Sequence, residues 1–459
     1  MTTCWASCTR LGPVVLCGIL GTLNVRAAGP DVIVHLLAQN GTDINEFGPV
    51  GGVMAYAWGT TSCNNGNQVL QWAAESQFHP VIAQNMYRLK NGKLEQIGMA
   101  WLKHGFCALS EPGCGSCQST GCETLGVGCA DTYWAGLNDS GLKPRSPVNA
   151  STGQFPFPEP QVPTGPPEIA GRVQVQVSDI DLAQNPGARY FIEGHYVTQD
   201  DSSSGTLPGN GGTPVNNASW REVDVTDMQN LTSIGPTMTE APAIAAWKLI
   251  DPAVTLTKAS LAGDGKFRIA YKATDLGGGM YNYEYAVFNL DSHRSCGSFS
   301  IPIPAGVTVS NVGFHDVDYH SGEPYTNIDW PATVSGCQIT WSTEDHATNP
   351  NANALRWSTL YNFRFDANGP PAAAVGTLGL FRPGTPTSLS VNLQGPSAVC
   401  IAGDENCDGD RDLQDYAAMQ SCYGPGTLPI ECQTFDTDCG GTLDLIDYSS
   451  FVSGFDGPQ

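Results

Sequence analysis

Residues 404–415 read DENCDGDRDLQD, and their spacing is that of a cation loop. Asp404, Asn406, Asp408, Asp412 and Asp415 fall at loop positions 1, 3, 5, 9 and 12, with Gly409 at position 6. Oxygen-only side chains at alternating positions wrap a hard cation, the glycine supplies the sharp turn, and the last acid arrives on the first turn of a following helix. The chemistry is Ca2+ coordination in a loop of EF-hand type. A second copy has Asp436, Asp438, Gly441, Asp444 and Asp447 in the same register, followed by a helix over 445–455. Gly440 stands at its position 5, so one carboxylate is missing and this site is the weaker. Two Ca2+ ions are expected. The competing reading is an acidic solubilising tail, which the fixed ligand spacing and the glycines in register disfavour.

Both copies end in Asp at position 12 and run straight into a helix with no obvious incoming helix. The pattern resembles the type I dockerin repeat over residues 402–455. That resemblance implies two loop–helix units that fold on binding Ca2+. In the dockerin family such modules sit at the ends of polysaccharide-degrading enzymes and dock to cohesins. Gly440 departs from the pattern, as do Cys400, Cys407, Cys422, Cys432 and Cys439, which suggest disulfide reinforcement. Gln414 and Tyr416 do not match the usual Ser/Thr-type recognition pair. A cohesin-like partner and a partner-free structural Ca2+ knot therefore both stay open.

Ahead of this module the most suggestive cluster is FHDVDYHSGE at 314–323. On an extended strand Asp316, Asp318 and His320 share one face and can present two carboxylates and an imidazole to a transition metal. His79, His104, His195 and Asp329 are candidates to complete such a site. The alternative is hydrogen-bonded or solvated side chains. His104, Cys107, Cys114 and Cys117 have zinc-like spacing, but with Cys63, Cys122 and Cys129 they make six cysteines, which favours three disulfides. Glu193, Glu284, Asp316 and Asp318 are the carboxylates a glycosidase would draw on. Tyr281, Tyr283 and Tyr285 line one face of a strand, either as a glycan platform or as sandwich core. No G-x-S-x-G elbow, H-E-x-x-H helix or P-loop is present.

These residues need a scaffold, and the composition points to β structure. With 53 Gly, 32 Pro and only 14% charged residues, a chain of 459 residues has many turns and few long surface helices. Its length calls for two or three domains. Residues 1–27 read as a signal peptide, with Arg10 before an apolar run and a small-residue cleavage site at 25–27. Its removal takes three of the 16 cysteines and places the rest in an oxidising compartment. The net charge of −23 argues against nucleic acid and anionic lipid as partners, and no later run is long and apolar enough to span a membrane.

Domains are expected at 28–153 (β, with a disulfide-rich loop), 169–385 (β-sandwich) and 400–459 (calcium module), with linkers at 154–168 and 386–399. Asn91-Gly92 marks a hairpin between 82–90 and 93–101. Cys296 and Cys337 are expected to pair. The fold class is mainly β, an antiparallel sandwich of immunoglobulin-like or jelly-roll type with a small α-helical EF-hand-type module. The body is similar, in phrases such as HPVIAQNMYRL and GFHDVDYHSGEPY, to secreted bacterial β-rich proteins of unknown function. The functional expectation is a secreted calcium-binding protein whose body serves structure, glycan binding or a cell-surface partner. The alternative is a secreted polysaccharide-degrading enzyme.

Overall fold

Alternating apolar and polar residues broken by Gly and Pro turns favour pleated antiparallel pairing, and the chain forms little else. The computed structural model describes residues 27–202, 214–304, 306–335, 337–398, 402–405, 410–424 and 428–455. The expected leader before Ala27 lies outside them, as do Cys400, Asn406, Cys407, Asp408 and Gly409. The hairpin at Asn91-Gly92 forms: Val81–Lys90 pairs with Lys93–Met99, with Lys90 opposite Lys93. Both turn residues take positive φ, 51° and 75°, which matches the twist of the flanking strands.

That hairpin lies at the centre of a nine-stranded sheet. In spatial order its main path is Asn230–Met238, Ala218–Asp227, Arg189–Val197, Val81–Lys90, Lys93–Met99, Val173–Gln176, Val53–Trp58 and Ile44–Val50. The ninth strand, Lys103–His104, pairs with Val81–Lys90. A three-stranded sheet of Val32–Leu37, Thr60–Asn64 and Ala130–Tyr133 covers it, and Val34, Tyr56, Trp58, Ile192 and Tyr196 are among the residues of the shared core.

Strand pairing crosses the proline-rich stretch 154–168, where a linker between separate domains was expected. Val173–Gln176 inserts between Lys93–Met99 and Val53–Trp58. The physical reason is that the first hundred residues leave apolar faces open, and Val173, Val175 and Ile192 from beyond the prolines close them. The first body therefore runs from residue 27 to about 240.

The second body is a sandwich of two five-stranded antiparallel sheets. Tyr283, Tyr285, Phe299, Trp341, Phe363 and Phe365 fill its middle. Tyr283 and Tyr285 donate their hydroxyls to the Gly369 and Gln394 carbonyls, each at 2.7 Å, so two of the three striped tyrosines are core and no glycan platform forms there. A further apolar cluster joins the bodies, with Tyr87, Leu94 and Phe191 against Trp247, Phe288 and Leu360. Gln96 Oε1 accepts from the Leu360 amide at 2.7 Å, and Asn362 Nδ2 donates to the Leu94 carbonyl at 2.9 Å.

The tail has two short helices, Leu413–Ser421 and Leu445–Ser453, around Met419, Phe435 and Phe451. Cys337 pairs with Cys439 of the tail and not with Cys296. Cys296 is a free thiol, 1% exposed, pointing into the sandwich core. Cys337 sits at the turn between Ala332–Ser335 and Gln338–Ser342, where it meets the tail. Burial pushes the Cys296 thiol up to about 12, which suits a small core residue better than a reactive one.

Candidate functional site

In the tail, each helix begins with the same reciprocal cap. Asp412 Oδ1 accepts from the Gln414 amide at 2.6 Å, while Asp415 Oδ2 accepts from the Asp412 amide at 2.9 Å. Asp444 Oδ1 accepts from Ile446 at 2.7 Å, and Asp447 Oδ2 from Asp444 at 3.0 Å. These bonds satisfy amides that a helix start leaves open and pin the last acid of each loop. Asp415 and Asp447 also reach back across their loops to the amides of Glu405 and Thr437, each at 2.7 Å.

Carboxylate oxygens of Asp410, Asp412 and Asp415 lie within 4.8 Å of one another, as do those of Asp436, Asp438 and Asp447. Asp404 is buried but is not one of the converging three. Asp410 is, although ligand spacing did not single it out: it stands at position 7, which ordinarily contributes only its backbone carbonyl. Asp444 caps its helix and is not in its loop's converging set. Asp436 Oδ2 accepts from the Gly441 amide at 2.9 Å, whereas the buried Oδ1 has no hydrogen-bond partner among the described residues. Donors that are all oxygen, one of them buried and unsatisfied, fit a hard cation.

In the body, FHDVDYHSGE divides into two halves with different work. The strand Val309–His315 ends before Asp316, so the expected extended face does not form. His320 is fully engaged: Nε2 faces the Met99 carbonyl and Nδ1 the Ser321 hydroxyl, each at 2.8 Å. The carbonyl requires the proton on Nε2, so neither nitrogen is left to ligate a metal. Burial lowers its pKa to about 4 and keeps the ring neutral. Ser321 Oγ accepts from the Gly171 amide, Trp101 Nε1 donates to the His320 carbonyl, and Glu323 accepts from the amides of Arg145 and Ser146. This half stitches the second body to the first.

Asp316 and Asp318, together with His320, line a polar cleft of about 350 Å³ between the bodies. Gln96, Gln174, Gln176 and Asp179 form one wall, with His315, Asn327 and Asp329 on the other. Burial pushes the Asp316 carboxyl up to about 7, helped by Asp329 and Asp318 and opposed by a hydrogen bond from Asn353 Nδ2. Burial and Asp329 raise Asp318 as well. Among the described residues of the body, no three His, Cys, Asp or Glu ligand atoms converge as they do in the tail. The cleft offers carboxylates, side-chain amides and the His315 imidazole, chemistry that suits hydroxyl or ammonium groups.

The other sequence candidates lie elsewhere. His79 Nε2 and His104 Nδ1 are 2.9 Å apart, and His79 Nδ1 faces the Ala73 carbonyl at 3.2 Å. Phe155 packs on both rings, and burial lowers His104 to about 3. The two histidines do meet, but as a neutral pair bonded to each other. His195 is buried beside Trp357 and does not line the cleft. The six cysteines form Cys63–Cys114, Cys107–Cys122 and Cys117–Cys129, so no zinc site assembles from them. Glu193 accepts from Asn85, Tyr87 and the Ala243 amide in the core, a structural position with no access for substrate.

Glu284 is nine-tenths buried with its nearest cation, Lys93 Nζ, at 3.6 Å. Burial pushes it up to about 7 from 4.5, while Lys93 and Arg364 pull the other way. A carboxyl whose folded pKa is raised holds more protons in the folded state between those values, so stability falls as pH rises from 4.5 to 7. Its share of that loss is on the order of 3 kcal/mol. Urea denaturation at pH 5 and pH 8 is expected to show this loss, and Glu284→Gln to remove that share. An unchanged difference in the variant would rule the assignment out.

No family model and no curated relative matches the chain. Solved structures with some similarity include the serine-rich repeat adhesion glycoprotein of Streptococcus agalactiae, at 9% identity over 81% of this chain and 98% of that one, with a TM-score of 0.19. The B domain of a biofilm associated protein aligns at 9% identity over 79% and 86%, with a TM-score of 0.15. The N-terminal domain of a Streptococcus gordonii adhesin aligns at 9% identity over 82% and 99%, with a TM-score of 0.18.

Proposed function

We propose that this is an exported, disulfide-stapled β protein whose tail binds two Ca2+ ions and serves as a clasp on a ligand-binding body. The observation that carries the reading is the pair of carboxylate triads, Asp410/Asp412/Asp415 and Asp436/Asp438/Asp447, each at the capped start of a helix. Converging carboxylates repel one another, and a divalent cation turns that repulsion into attraction. Disulfides throughout the chain support a location outside the cytoplasm, and no helix among the described residues is long and apolar enough to cross a membrane.

Cys337–Cys439 fastens the second loop to the body, and Asp436 and Gly441 share a cavity with Val307 and Val334 of the sandwich. This favours a structural clasp for the second site. A docking role for the same tail is supported by Leu413 and Leu445, which occupy corresponding places in the two repeats and are 54% and 82% exposed; a cohesin-like partner would cover them. For the body, the carboxylate- and amide-lined cleft favours a glycan or another polar ligand of a cell surface. The metal-dependent enzyme reading loses the His320 imidazole, because both of its nitrogens are committed, and is left with His315 as the other imidazole of the cleft.

Calcium retained by the full-length protein after gel filtration, measured by mass spectrometry, tests the clasp. Asp415→Asn and Asp447→Asn are each expected to remove one equivalent. Unchanged calcium in both variants would reject the reading.

A further inference from the structure

We propose that Asp31, Asp201, Asn216 and Asn217 hold an additional Ca2+ ion inside the first body, apart from the two loops of the tail. The two carboxylates are 0% and 1% exposed. Asp201 Oδ2 accepts from the amide of Val32 at 2.8 Å, which puts its carboxylate against the backbone immediately after Asp31. After burial itself, the Asp31 charge is the strongest influence holding Asp201 well above the usual carboxylate range. Asp201 takes part in no ion pair among the described residues.

Asp201 Oδ1 and Asn217 Oδ1 are buried here and lack a hydrogen-bond partner among the described residues, and so does Asn216 Oδ1, one residue before Asn217 in the chain. Asn217 is held beside Asp201 by its own Nδ2, which donates to the Asp201 carbonyl at 3.4 Å. Asp200 does not belong to the set, because its oxygens accept from the Gln71 amide and the Thr198 hydroxyl, each at 2.8 Å. A proton shared between the two acids would neutralise one charge and satisfy one acceptor, leaving the amide oxygens unpaired in the interior. A hard cation satisfies carboxylate and amide oxygens together, and backbone carbonyls or waters complete the six to eight ligands Ca2+ takes. Asp31 and the two asparagines precede the strands Val32–Leu37 and Ala218–Asp227, which are joined where Ser219 Oγ donates to the Val34 carbonyl at 2.6 Å, and Asp201 follows the end of Arg189–Val197.

The test uses full-length protein carrying Asp415→Asn and Asp447→Asn, stripped with chelator, re-equilibrated with Ca2+ and passed through gel filtration. One equivalent of calcium is expected to remain, with a Ca2+-dependent rise in the thermal midpoint. Adding Asp201→Asn is expected to abolish both. No calcium in the folded tail variant overturns the proposal and leaves a proton-sharing acid pair. That result is readable even if the Asp201 variant does not fold. Failure of the tail reading looks different: calcium would then be the same with and without the tail substitutions.

Discussion

Chelating calcium from the intact protein will open the Arg411–Asp412 bond to trypsin, yet the 412–459 fragment will stay attached until the protein is reduced. Arg411 is the sole basic residue after position 399, and in the folded tail its Nη1 donates to the Ser450 carbonyl at 3.2 Å. The module that shelters it is centred on only Met419, Phe435 and Phe451, too little apolar burial to stand alone. Without a cation, each loop forces three carboxylates together. A ligand present at a hundred times its dissociation constant shifts a folding equilibrium about a hundredfold, so trypsin protection should fall about a hundredfold per emptied loop. Cys337–Cys439 bridges the cut. The expected outcome is a nicked chain that runs intact on a non-reducing gel and loses a small fragment on reduction. Equal cleavage rates with and without Ca2+ would remove calcium from the account of this tail.

Arg145→Met is expected to destabilise the body by about 3–5 kcal/mol, because it leaves several buried acceptors without a donor. Arg145 is 4% exposed. It donates to the carbonyls of Ala100, Gln84 and Ser358 and to Asn85 Oδ1, at 2.6 to 3.2 Å. Asn85 in turn donates to Glu193 and to Ser358. The network thus ties strands of the first body to the start of Thr359–Ala367 in the second, and losing it strands several acceptors at once. Arg145→Lys is expected to rescue little, since one ammonium cannot reach acceptors spread around a planar fork. Urea denaturation at neutral pH measures the loss; a change under about 1 kcal/mol would show that water or repacking replaces these bonds.

The features of the fold legible in the sequence were those with local causes. Asn91-Gly92 announced its hairpin because positive φ at two successive residues is a local demand. The tail acids announced two helix starts, because the caps Asp412/Asp415 and Asp444/Asp447 are made between residues three apart. The body candidates failed where function depended on distant partners. Asp316 and His320 look equivalent in FHDVDYHSGE and both line the cleft, yet the His320 ring is tied to the Met99 carbonyl, more than two hundred residues away. Glu193 and Glu284 are candidates by residue type alone, and only packing shows that one is hydrogen-bonded into the core and the other raised by burial beside Lys93.

Composition and spacing by themselves determined that the chain is mainly β, rich in disulfides and acidic at its end, because turn residues, cysteine count and the run of acids are local properties of the chain. The tertiary structure decided what those short-range rules leave open. It paired Cys337 with Cys439 because Cys296 faces a core, and carried the first sheet past the prolines because Val173, Val175 and Ile192 close its apolar faces. It also brought Asp31 against Asp201, since contacts between residues far apart in the chain are set by which faces must be buried together, and no local pattern records that choice.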